Sequence, residues 1–161
     1  MIARRKYWEQ LTELWDLSET ASMISEALLS LITLKAFILG EAMEDTTFIR
    51  ELLRRVSRCH NFLEKLIQEL HLYAQSKASE SPLVSILIEA LGTEDYEILH
   101  STLEKALSSI NTIKNVSELS ELINIFTKKE KEIEALKSLL ESLSETLTKK
   151  TGKLASELFT F

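Results

Sequence analysis

The most regular pattern of apolar positions in the chain lies between Ile49 and Tyr73. Successive apolar residues are alternately three and four positions apart, which keeps them on one side of an α-helix over several heptads. This stripe consists of Ile49, Leu52, Val56, Cys59, Leu63, Leu66, Leu70 and Tyr73. A second row at seven-residue intervals flanks it (Leu53, His60, Ile67 and Ala74). The pattern predicts a long helix with a broad buried face.

Similar patterns recur along the chain and predict an all-α, up-and-down helical bundle, with residues 1–161 as a single domain. An opening helix over residues 4–15 carries Trp8, Leu11 and Trp15. It either continues into the next helix or is separated from it by a capping box at Asp16 and Glu19. The predicted elements are two long antiparallel helices (about 18–43 and 46–78), a short helix (82–91) and two further helices (about 94–114 and 117–151).

Capping and helix-breaking residues set these boundaries. Residues 44–47 supply capping oxygens before the second long helix. Pro82 suits the first position of the short helix, and Gly92 suits its C-terminal cap. Later boundaries are predicted from Thr93 as a cap, Asn115 as a break, Ser117 as a restart and Gly152 as the final stop.

The segment Ala27–Leu39 is apolar around nearly its whole circumference, with Lys35 as the exception. A helix of this kind is either central in its domain or covered by a second subunit. We expect self-association through the Ala27–Leu39 face, with a dimer favoured. The segment is short for a membrane span, and a charged residue interrupts it. Lys35 is predicted to be structural, with a Schiff-base nucleophile as the alternative.

Composition narrows the functional classes. One proline and three glycines leave few turn-forming residues, which agrees with an all-helical domain. The net charge of −6 argues against nucleic acid and anionic membranes as targets, because both would repel the protein. The single cysteine, Cys59, excludes an internal disulfide and suits a cytoplasmic location. Three glutamines and four asparagines are a scarcity reported for thermophile proteins.

All six arginines precede residue 60, and three of them (Arg50, Arg54 and Arg58) share one helix face. Because arginine binds carboxylates and phosphates in a bidentate manner, this row is a candidate site for an acidic protein or a phosphate-bearing partner. The alternative is that the row pairs with acidic residues of the chain itself, such as Glu44, Glu51 or Glu89.

Arg55 and His60 delimit a six-residue segment, Arg-Val-Ser-Arg-Cys-His. It resembles the Arg-x4–6-His motif of the HEPN ribonucleases, which are small dimeric helical bundles. The resemblance implies that Arg55 and His60 act on an RNA phosphate and 2′-hydroxyl at a dimer interface. Five residues correspond to a rotation of about 140° on a helix, so the two side chains would cooperate only across a dimer.

Glu97 and His100 form a Glu-x-x-His pair on a predicted helix. The pair resembles half of the metal-binding signature of ferritin-like di-iron bundles, which use two such pairs and two further glutamates. No second pair occurs in the sequence. A solvated pair near a helix start is the alternative interpretation, and no cofactor is expected.

The absence of a convergent set of polar residues in the pattern favours a non-enzymatic function. We therefore expect a self-associating helical interaction or assembly module. The HEPN-like ribonuclease and the ferritin-like metal-binding bundle are the alternatives.

Overall fold

The computed structural model describes residues 2–39, 46–76 and 82–159, and all regular structure within these ranges is α-helical. The prediction of an all-α helical bundle is confirmed. The helices are α1 (Ile2–Leu39), α2 (Thr46–Ser76), α3 (Pro82–Leu91), α4 (Tyr96–Lys114), α5 (Leu119–Lys128) and α6 (Glu130–Phe159).

Four long helices surround the core. Helix α1 packs against α2 and α6, and α4 packs against the same two helices. Lys35, near the end of α1, pairs with Glu134, near the start of α6, so these helices run antiparallel. Helix α3 packs mainly on α6, and α5 contacts α4 and α6.

The predicted stripe of α2 lies in this core. Its six central residues are buried, and Ile49 and Tyr73 at its ends are partly exposed. In α4, the apolar residues with the same alternating spacing are all buried (Leu99, Leu103, Ala106, Ile110 and Ile113). Each fully buried Leu or Ile side chain contributes roughly 1.5–3 kcal/mol, so these stripes stabilise the bundle strongly.

Helix α1 is continuous from Ile2 to Leu39, so no capping box divides it. Asp16 and Glu19 are exposed within this helix. Residues 40–45 and 77–78, which include predicted helix ends and the capping residues Glu44 and Asp45, lie outside the described residues.

The prediction of one helix over 117–151 was wrong in two respects. The helix is interrupted at Lys129, which has φ −114° and ψ 35° and is exposed. A continuous helix would carry this ammonium group into the buried stripe, which is costly. At the other end, α6 runs through Gly152 to Phe159. A helical glycine costs about 1 kcal/mol relative to alanine, and burial of Leu154 and Leu158 outweighs that cost.

The other boundaries follow local chemistry. Gly92 ends α3 with φ 70° and donates its N–H to the Ile88 carbonyl at 2.8 Å, as predicted for a C-terminal cap. The cap of α4 is Asp95 rather than Thr93, because the Asp95 carboxylate accepts a hydrogen bond from the Glu97 N–H at 2.9 Å. Thr93 instead accepts a hydrogen bond from the Asp95 N–H.

Candidate functional site: an exposed heptad face of helix α1

Helix α1 has a second regular face, which points away from the core except at Leu11, which is partly buried against it. We name it the α1 stripe; it consists of Trp8, Leu11, Trp15, Ser18, Ser22, Ser25, Leu29, Ile32 and Ala36. These residues are spaced alternately three and four positions apart, which is the spacing of a helix that contacts another helix. None of the nine side chains is ionisable, which is unusual for a solvent-facing helix surface.

The α1 stripe is open to solvent. Trp8, Trp15, Leu29 and Ile32 are 63%, 71%, 57% and 42% exposed. A whole aromatic side chain presents about 150–250 Å², and the smaller side chains of the stripe present less. Adding the exposed parts of all nine residues gives an area on the order of 700 Å² per chain. A stable protein–protein interface of standard size buries about 800 Å² per partner. The stripe is therefore large enough for a specific interface.

Residue size varies systematically along the α1 stripe. Trp8, Leu11 and Trp15 occupy one end, three serines occupy the centre, and Leu29, Ile32 and Ala36 occupy the other end. A shallow groove of about 600 Å³ lies among the tryptophans at the first end. A hollow of about 270 Å³ lies beside the second; Ile32, Ala36 and Phe126 line it, as do the charged residues Lys35 and Glu134. Both ends thus have space for large side chains of a partner.

The structure divides the predicted Ala27–Leu39 face between two environments. Ala27, Leu31 and Leu34 are buried in the core, whereas Leu29 and Ile32 belong to the exposed stripe. The apolar pattern of the sequence did not connect Trp8 and Trp15 with this surface, because the stripe residues between Trp15 and Leu29 are serines, which are not apolar. The 3/4 spacing carried through the serines is the signal that would have identified it.

Among the described helices, α1 is also the only one long and apolar enough to cross a membrane, over Lys6–Ala36. Core helices of soluble proteins satisfy the same criterion. A third of the most apolar window is buried inside the bundle, which binds α1 to the other helices.

Lys35 lies beside the stripe and binds α6. Its Nζ is 2.5 Å from Oε1 of Glu134, and both side chains are partly exposed. The hydrogen bond to Glu134 is the main cause of a raised Lys35 pKa. The same hydrogen bond lowers the pKa of Glu134. A Schiff-base lysine requires a lowered pKa, so this geometry supports the structural interpretation of Lys35.

This ion pair predicts a pH-dependent effect on stability. Because the Glu134 pKa is lower in the folded state, its contribution is present above the ordinary glutamate value and is lost as the pH falls through the folded value. We expect Glu134→Gln to lower the urea midpoint at pH 7, and the difference from the wild type to shrink towards pH 3. Glu145→Gln, on an exposed position of α6, is the matched control. A difference that stays constant with pH would contradict the role of the pair.

The arginine row has partners within the chain. An Arg58 nitrogen, Nη1, lies 3.0 Å from a carboxylate oxygen of Glu26 on α1. Arg54 and Arg55 both approach Glu51, at 3.6 Å and 3.9 Å. Arg50 is exposed. Exposed pairs of this kind contribute ~0–1 kcal/mol each, and they partly neutralise the row as a site for anions.

Arg55 and His60 face different acids. Whereas Arg55 approaches Glu51, the His60 Nε2 lies 3.5 Å from Oε1 of Glu64. Only 12% of the His60 side chain is exposed, and its buried Nδ1 has no hydrogen-bond partner in the described part of the chain. Since one chain does not bring the two side chains to one point, the HEPN-like hypothesis still requires two subunits.

Glu97 and His100 do not form a joint site. Glu97 is exposed, and the His100 Nε2 lies 3.3 Å from Glu104 instead. His100 stacks on Tyr96, whose hydroxyl group lies 2.7 Å from the Nδ1 of His71 on α2. This α2–α4 cluster was not predicted from the sequence, because the three residues meet only when the end of α2 lies beside the start of α4. No three potential metal ligands converge among the described residues.

Two further features, a buried cysteine and a groove between α4 and α6, offer little for catalysis or anion binding. Cys59 is buried, and burial raises its pKa to about 12, so it stays a thiol near neutral pH. A groove of about 560 Å³ between α4 and α6 contains Lys105, Lys129 and Lys131. All three lysines are exposed to water, and Glu132 lines the same groove, so the positive potential there is weak.

Comparisons with protein-family models, with curated proteins and with solved structures found no match for this chain.

Proposed function

We propose that this protein is a non-enzymatic helical module that self-associates through the α1 stripe. The observation that carries the proposal is a four-heptad surface without ionisable side chains, largely exposed on a bundle that has a separate buried core. A twofold-symmetric interface must be complementary to itself, and an uncharged stripe meets that requirement without matched charges. Its area is close to that of a standard interface.

The side chains that could take part in catalysis support a non-enzymatic function better than an enzymatic one. Lys35, His60 and His100 each face one carboxylate of the chain, which accounts for them structurally. The HEPN-like ribonuclease remains the alternative, and it requires a dimer that brings Arg55 of one chain near His60 of the other. The ferritin-like alternative predicts iron or manganese in the purified protein.

We place the protein in the cytoplasm as part of the same proposal. Cys59 is a free thiol inside the core, and a reducing compartment keeps such thiols unpaired. The low glutamine and asparagine content is compatible with a thermophilic source.

Sedimentation velocity tests the proposal directly. Between about 1 and 100 µM, we expect a concentration-dependent shift from monomer to dimer, since interfaces of this size start in the micromolar range of Kd. Trp15→Ala should weaken the dimer roughly tenfold or more, because large aromatic anchors dominate interfaces. Ile98→Ala removes an exposed apolar side chain of α4 and is the matched control. A wild-type protein that is monomeric at 100 µM would refute self-association.

A further inference from the structure

We propose that the α1 stripe binds the α1 stripe of a second copy in an antiparallel crossing, with the closest approach at Ser18, Ser22 and Ser25. The inference rests on the proposed function and adds the orientation of the partner. From Trp8 to Ala36 the stripe is about 42 Å long. Orientation is therefore measurable as a distance between marked positions along it.

The size pattern predicts a crossing pair of helices. Small residues at the centre let two backbones approach closely there. On both sides of the crossing the helices diverge, and the large side chains at the stripe ends fill the widening gap. The hydroxyl groups of Ser18, Ser22 and Ser25 have no partner in the described part of the chain, so they are available to bond with each other across the interface.

The positions of the large side chains favour the antiparallel orientation. A parallel pair would place four tryptophans at one end and leave only the smaller Leu29, Ile32 and Ala36 at the other, so the two gaps would differ. An antiparallel pair places the tryptophan end of each copy on the Leu29–Ala36 end of the other. There, the hollow beside Ala36 can receive an indole ring.

The helix dipoles favour the same orientation. In an antiparallel pair, the N-terminal end of each α1 lies beside the C-terminal end of the other, so the partial charges at the helix ends attract each other.

Thr12 and Thr33 provide the test, because both flank the α1 stripe without belonging to it. In an antiparallel pair centred on the serines, Thr12 of one copy lies near Thr33 of the other. We expect nitroxide labels on Thr12→Cys dimers to be about 25–40 Å apart, and the same for Thr33→Cys dimers. In mixed dimers of the two variants, the labels should lie within about 20 Å. Cys59 is buried and adds no label, which the unsubstituted protein verifies.

Each outcome decides between specific alternatives. Long distances in both single variants and a short distance in mixed dimers support the antiparallel crossing. Short distances in both single variants show a parallel pair and overturn the inference, while the proposed function stands. Ser138 is an exposed position on α6. A short distance between the two labels of a Ser138→Cys dimer would place the interface on α6 and would also overturn the inference. Protein that stays monomeric and co-sediments with phosphatidylcholine–phosphatidylserine vesicles overturns both proposals.

Discussion

Leu63→Ala is expected to lower the free energy of unfolding by about 2–5 kcal/mol. Leu63 lies at the middle of α2 and is fully buried in the core. The substitution removes three carbons and leaves a cavity between tightly packed helices, which adds to the lost transfer free energy. For a domain of this size the loss corresponds to a fall of about 5–15 °C in Tm.

The measurement is urea unfolding followed by circular dichroism, with a thermal scan in parallel. Protein concentrations must be equal, because dimerisation adds to the apparent stability. Ile98→Ala is the control: Ile98 is about half exposed on α4, and its truncation should change the free energy of unfolding by less than about 1 kcal/mol. Equal effects of the two substitutions would contradict the central position of the α2 stripe.

The fold was largely predictable from the sequence because the core stripes are long and regular. In α2 and α4, apolar residues at the 3/4 spacing coincide with the buried positions. Pro82 and Gly92 marked the bounds of α3 correctly, since each residue restricts or extends the backbone in a known way. These signals are local, and a single sequence contains them in full.

The errors arose where local signals competed with packing. Gly152 is a helix breaker by propensity, but Leu154 and Leu158 hold the chain in α6. Lys129 lies inside the helix predicted over 117–151, although in the structure it ends α5 and its charge is exposed. In both cases the outcome depends on burial against other helices, which a single-helix pattern does not contain.

The candidate site was only partly predictable for a related reason. Leu29 and Ile32 were included in the predicted interface, but their neighbours Leu31 and Leu34 belong to the core. Assigning the two sides of α1 requires knowing where α2 and α6 lie. The cluster of His71, Tyr96 and His100 likewise depends on the packing of two helices.

Ser22→Arg is expected to raise the Kd of self-association at least 100-fold, which corresponds to about 2.7 kcal/mol. Ser22 is exposed at the centre of the α1 stripe, so the substitution leaves the core of the monomer intact. In the crossing pair, two guanidinium groups would meet at the closest approach of the backbones. They would have to be desolvated without a partner or would hold the helices apart.

Ser22→Ala tests whether the interface requires a small side chain at position 22 or the serine hydroxyl group itself. Alanine is as small as serine, so we expect Kd to stay within about tenfold of the wild type, with the loss of one hydroxyl contact as the main cost. Ser138→Arg places the same charge on exposed α6 and should leave Kd unchanged. All three variants are compared by sedimentation at matched concentrations, after circular dichroism confirms equal helicity. A Ser22→Arg protein that dimerises like the wild type would show that the serine centre lies outside the interface, even if Trp15→Ala weakens it.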